Sequence, residues 1–186
     1  MKARIGIFVL VGFAMASVAG WSFAQTEAKT DVWAPFKFFV GHWEGRGEGQ
    51  GGVSTGVQEY RFILGGRYLL VTNEARFAPQ EKNPKGEVHQ DCGVLSFDQM
   101  RKKYVFRQFH SEGFVNQYVS DGPEPDGKTF VFVSEAIENI PPGFRARLTY
   151  KILNENEFQQ TFDLAQSGQE FACYSQGIMK RKGTAK

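Results

Sequence analysis

His110 closes a strand-like run, Lys103 to His110, whose alternate positions read Tyr104, Phe106, Gln108 and His110 on one face. An imidazole beside an amide and aromatic rings can hydrogen-bond a ligand, bind a metal or move a proton near neutral pH. It can equally be a structural histidine, hydrogen-bonded at a strand end. His89 and Asp91 stand two residues apart, so a strand aims both at one face. Two groups fall short of the three or four ligands that zinc takes, and no metal site is expected. His42, beside Trp43, reads as structural. Arg61, Glu74, Arg145 and Arg147 are candidates for an internal charged cluster. A buried Arg there would take a carboxylate ligand by bidentate contact, or pair with Glu74, since buried charges must be paired.

No HExxH, GxSxG or P-loop occurs, and nothing in the spacing of Ser, His and Asp singles out a triad. No catalytic residue is assigned. Cys92 and Cys173 make no CxxC, which excludes a redox motif or zinc ribbon on spacing. A disulfide between them is open to an exported protein. Two buried thiols packing as small hydrophobes is the favoured expectation.

The elements that would position these residues are strands. Ten strand-like runs follow one another: about Trp43–Gly49, Thr55–Leu64, Arg67–Phe77, Val88–Phe97, Lys103–His110, Phe114–Ser120, Thr129–Ala136, Arg145–Leu153, Glu157–Leu164 and Glu170–Arg181. They are rich in Phe, Tyr, Val, Ile and Thr. Short polar connections join them, such as Gly65-Gly66, Ser111-Glu112-Gly113 and Asn154-Glu155-Asn156. All seven prolines fall outside the runs, as the missing N–H requires. Ten strands with open edges would invite aggregation, and closure removes the edges. The expected fold is therefore all-β: one closed antiparallel up-and-down barrel. Val32 to Val40 places Trp33, Phe36, Phe39 and Val40 at near-helical spacing, with Pro35 in the first turn. This predicts a short helical plug at one barrel end.

Along the strands many faces mix aromatic and polar residues. Such mixing fits a cavity with an apolar body and a few orienting polar groups. The candidate lining residues are Trp43, Arg61, Glu74, Phe106, Gln108, His110 and Arg147. Trp43 would also seal the barrel end against Phe36 and Phe39. Gly45, Gly47 and Gly49 alternate on one face, where another backbone, the plug or a ligand can approach closely; the structural reading is a strongly bent first strand.

Lys2 and Arg4, the apolar run Ile5–Ala19 and Ser22-Phe23-Ala24 have the layout of a cleaved signal peptide. Residues 1–24 are expected to be removed, leaving a barrel domain over 25–186 that is exported to the periplasm or secreted. No later run is long enough to span a membrane. The chain carries 22 Lys+Arg and 20 Asp+Glu, so losing Lys2 and Arg4 leaves 20 of each. A near-neutral protein with no basic stripe is a poor nucleic-acid binder.

Three stretches carry a family likeness. Phe39-Val40-Gly41-His42-Trp43-Glu44-Gly45-Arg46-Gly47 resembles the Gly-x-Trp-x-Gly-x-Gly opening of bacterial calycin-like barrels. That opening is shared by nitrobindin-type haem barrels and a related domain family of unknown function. Gly93-Val94-Leu95-Ser96-Phe97-Asp98, then Lys102-Lys103-Tyr104-Val105, is similar to the latter family's Gly-x-x-Gly-Tyr-Asp … Lys-Lys-Tyr-Val hairpin, with Ser96-Phe97 in place of Gly-Tyr. Ile178-Met179-Lys180-Arg181 resembles its last strand. The resemblance implies a ten-stranded, fatty-acid-binding-protein-like barrel. Nitrobindin-type barrels hold haem through a last-strand histidine, and Phe171 to Met179 has none, so no haem or other cofactor is expected. The expected function is a non-enzymatic carrier or sensor of a small apolar or amphipathic molecule, acting as monomer or homodimer. The alternatives are an enzyme using His110 as acid or base, and an interaction module with a filled barrel.

Overall fold

The computed structural model describes residues 31–183; the expected signal peptide lies outside them. A 3-10 helix, Ala34–Phe39, precedes ten strands: β1 Gly41–Gly49, β2 Gly52–Ile63, β3 Tyr68–Phe77, β4 Glu87–Asp98, β5 Lys103–His110, β6 Val115–Ser120, β7 Thr129–Glu138, β8 Arg145–Asn154, β9 Glu157–Ala165 and β10 Ala172–Arg181. Each strand pairs antiparallel with its sequence neighbours, and β1 also pairs with β10, which closes the barrel. Closure leaves no ladder edge to aggregate. The first turn joining strands on the helix side has three consecutive left-handed residues, Leu64, Gly65 and Gly66.

Alternation along the strands sets the inner face. Trp43, Tyr60, Leu69, Leu95, Phe106, Tyr118, Phe132, Leu148, Tyr150 and Phe158 are buried and form the core with Phe36 and Phe39 of the helix. Phe36 lies 5.1 Å from Phe130 and 4.7 Å from Tyr104, centroid to centroid. Three polar groups strap the helix to the strands. Trp43 Nε1 donates to the Phe39 carbonyl at 2.7 Å. The Arg181 guanidinium donates to the carbonyls of Phe38 and Val40 while stacking 4.2 Å over Trp43. Tyr104 Oη donates to the Val32 carbonyl.

The glycines of β1 face inward and lie close against β10. A Cβ on Gly45 would overlap the Ile178 carbonyl and the Met179 sulfur, and one on Gly49 would overlap the Tyr174 carbonyl. The cysteines differ from expectation. Cys92 on β4 and Cys173 on β10 are free and exposed rather than buried. Both occupy outward positions of strands that are not neighbours in the barrel, so neither packs in the core.

Candidate functional site

The two ends of the barrel interior differ in chemistry. The helix end is the aromatic core. Above it a belt of inward polar side chains runs across five strands. Gln58 Nε2 on β2 donates to Gln160 Oε1 on β9 at 2.9 Å and to Asn73 Oδ1 on β3 at 3.2 Å. Asn73 Nδ2 donates to Asp91 Oδ2 at 2.7 Å, and Gln108 Nε2 to Asp91 Oδ1 at 2.8 Å. Tyr60 Oη ties the belt to the core through Gln58 Oε1 at 3.0 Å. β1 and β10 lie between β2 and β9. Gly45, Gly47 and Gly177 offer no side chains there, which is why two glutamines can meet across two strands. Gln58, Asp91 and Gln108 are buried and hydrogen-bonded within the belt, which fixes one arrangement of the interior.

Beyond the belt the inward positions Ser54, Ala75, His89, His110, Ile137, Phe162, Leu164 and Ser175 are half-buried, so this end of the barrel is a mouth reached by solvent. His89 sits there between two carboxylates. Its Nε2 is 3.3 Å from Asp91 Oδ2 and its Nδ1 is 2.7 Å from Glu112 Oε1. His110 stacks on Phe114 at 4.0 Å and lies 5.4 Å from the His89 ring. Its Nε2 faces Asn116 Nδ2 at 3.2 Å, and that amide also donates to Tyr118 Oη. His110 Nδ1 is buried with no hydrogen-bond partner. One donor atom from each of His89, His110 and Glu112 falls within 4.8 Å of the others, so these three could hold a metal ion.

Electrostatics separates the two histidines. The hydrogen bond to Asp91, helped by Glu112, raises His89 to about 9 against the opposing effect of burial. Burial lowers His110 to about 4. Burial also pushes Asp91 up, but its hydrogen bonds from His89, Gln108 and Asn73 overcome this and leave it below the usual carboxylate range. Near neutral pH the mouth therefore presents an imidazolium between two carboxylates and, beside it, a neutral imidazole.

Of the seven candidate lining residues only His110 and Gln108 reach this region, where they join the same-face pair His89 and Asp91. Phe106 is core and packs over Gly93, where a Cβ would overlap its ring. Trp43 is core and holds the helix. Arg61, Glu74 and Arg147 are corrected: all three point outward. Arg61 approaches Glu59 on the surface. Glu74 pairs with Arg76 and accepts from Gln90 Nε2. Arg147 pairs with Asp163 at 2.8 Å and stacks 4.6 Å over Phe171. Among the described residues they form no internal cluster, because each alternates with inward neighbours: Arg61 with Tyr60, Glu74 with Asn73 and Ala75, and Arg147 with Ala146 and Leu148. Glu112, Asn73 and Asn116 were not singled out. The signal for Glu112 was the β4–β5 hairpin: Asp91 pairs with His110, and carrying that register two residues further sets His89 across from Glu112.

The fold has relatives. A structure from M. tuberculosis, Rv2717c, superposes with a TM-score of 0.65 at 15% identity, covering 83% of this chain and 99% of that one; this likeness concerns the fold alone. A de novo designed fluorescence-activating β-barrel gives a TM-score of 0.42 at 13% identity, over 78% of this chain and 94% of that one. No curated protein sequence matches. The family described as THAP4-like, heme-binding beta-barrel domain matches residues 32–181. That span runs from just before the 3-10 helix to the end of β10, and the chain belongs to this family of β-barrel domains.

Proposed function

We propose that this protein is an exported, non-enzymatic carrier or sensor that takes a small amphipathic molecule into the mouth of its barrel. The observation that carries this reading is the asymmetry of the interior. A filled aromatic end and a hydrogen-bonded belt leave binding to the half-buried mouth. There the apolar side chains of Ile137, Phe162 and Leu164 stand with the polar groups of His89 and His110. Apolar walls with a few fixed polar groups are the usual make-up of a small-molecule site. The 3-10 helix acts as the plug at the opposite end.

The family's name implies haem, and the donor set of this mouth does not fit it. β10, from Ala172 to Arg181, has no histidine. An axial ligand must direct a free lone pair at space wide enough for a porphyrin. His89 and His110 stand 5.4 Å apart, with Glu112 against the first ring and Phe114 stacked on the second, so neighbouring side chains wall both rings where a porphyrin plane would have to lie.

The enzyme reading is favoured by one observation, the neighbouring histidines with oppositely shifted titrations, a pattern shared by acid–base pairs. A turnover assay has meaning only once the ligand is known. Native mass spectrometry of protein purified from the cells that make it, with an absorbance spectrum, is the first test. A reproducible extra mass that leaves on denaturation, without a Soret band, is the expected result. A haem-sized mass with a Soret band would overturn the exclusion of haem, and a bare chain would overturn the carrier reading. The same spectra should show a mature chain beginning at Gln25; retention of residues 1–24 would contradict export by cleavage.

A further inference from the structure

We propose that His89, His110 and Glu112 form a binding site for a divalent transition metal of the zinc type at the rim of the barrel mouth. Three observations converge on it. The first is the donor set: two imidazoles and a carboxylate, one atom from each, lie within 4.8 Å of one another. Two nitrogen donors and one oxygen suit Zn²⁺ and its neighbours rather than Mg²⁺ or Ca²⁺, which take oxygen.

The second is the unmatched nitrogen. With the Asn116 amide nitrogen facing His110 Nε2, His110 carries its proton on Nδ1, buried with no acceptor. A buried donor left unpaired is unfavourable. Turning the amide over exchanges its oxygen and nitrogen. Oδ1 then accepts from both His110 Nε2–H and Tyr118 Oη–H, and Nδ1 becomes a bare lone pair. A cation at that lone pair satisfies the last unmatched atom, which no hydrogen bond within the described residues does.

The third is the supporting shell. Metal-bound histidines commonly donate their other N–H to a carboxylate or carbonyl, which fixes the tautomer and ring orientation. His89 Nε2 has Asp91, itself held by Asn73 and Gln108. His110 Nε2 has Asn116, itself held by Tyr118. The ion replaces the proton now bridging His89 Nδ1 and Glu112 Oε1. Three protein ligands leave at least one position open, filled by water or by a donor atom of whatever occupies the mouth.

The site stands apart from the carrier reading, since it needs no organic ligand. The test uses purified protein stripped with a chelator and titrated with Zn²⁺ alone, by calorimetry and by elemental analysis after gel filtration. One Zn²⁺ per chain is expected, with affinity reduced at least about tenfold in His110→Ala and Glu112→Gln and by about 10–100-fold in Asp91→Asn. His42→Ala, an exposed residue on β1, should bind like the parent. Glu112 sits in an exposed turn, so Glu112→Gln keeps the comparison valid if a histidine variant misfolds. Co²⁺ in the parent should give visible bands that weaken in Glu112→Gln. No stoichiometric Zn²⁺, or Zn²⁺ binding indifferent to Glu112→Gln, would overturn the proposal. An organic ligand found or missing by mass spectrometry leaves this outcome untouched.

Discussion

His89 and His110 lie 5.4 Å apart, yet their surroundings push their titrations in opposite directions. His89 is held by Asp91 and Glu112 at about 9, above its ordinary 6.5. Its contribution to stability is complete below pH 6.5 and is lost as pH rises toward 9, because the unfolded chain gives up that proton first. His110, facing His89, Asp91 and Glu112, is lowered by burial to about 4. Its contribution is complete above pH 6.5 and is lost as pH falls toward 4. Asp91 and Glu112, both held below their ordinary values, add to the loss at still lower pH. Metal-free protein should therefore be most stable near pH 6.5. The alkaline decline should be on the order of 2 kcal/mol, and His89→Gln should abolish it. Chemical denaturation across pH measures both arms, and a flat profile between pH 6.5 and 9 in the parent would contradict the ion-paired geometry.

At the scale of elements, the glycines of β1 decide whether the barrel can close. Gly45→Ala sets a methyl into the Ile178 carbonyl and the Met179 sulfur. Gly56→Ala, on the adjacent β2, meets nothing nearer than the Glu74 carbonyl at 3.6 Å. Thermal unfolding should show Gly45→Ala destabilised by about 2 kcal/mol or more and Gly56→Ala within about 0.5 kcal/mol of the parent. Equal effects would mean that β1 does not lie against β10 as described. Much of this level was legible in the sequence. Strand-favouring residues, turn chemistry and proline placement marked every strand, and Lys103–His110 emerged with both its bounds. The 3-10 helix fell within the expected Val32–Val40. Strand faces were harder, since a one-residue change of register reverses in and out. Arg61, Glu74 and Arg147 could not be placed outside until the pairing was known. The belt was hidden for a related reason. Gln58 and Gln160 are 102 residues apart and meet only because the glycines between them carry no side chains.

For the whole molecule, closure sorts residues into an interior and an exterior that carries the remaining reactive groups. Cys92 and Cys173 are exposed on strands that do not adjoin. Both thiols should react with a colorimetric disulfide reagent in native protein without an unfolding step, and oxidation should not link them within one chain. Slow reaction limited by unfolding would place the thiols inside. The central claim is that the mouth, and not the exterior or the helix end, receives the ligand. Ala75 is an inward, half-buried position at that mouth, paired with His89, and Ala75→Trp fills the opening. The most direct measurement is native mass spectrometry of the parent and of folded Ala75→Trp, each purified from the cells that make the protein. The account predicts one small molecule per parent chain and none on Ala75→Trp; the same added mass on both would contradict it.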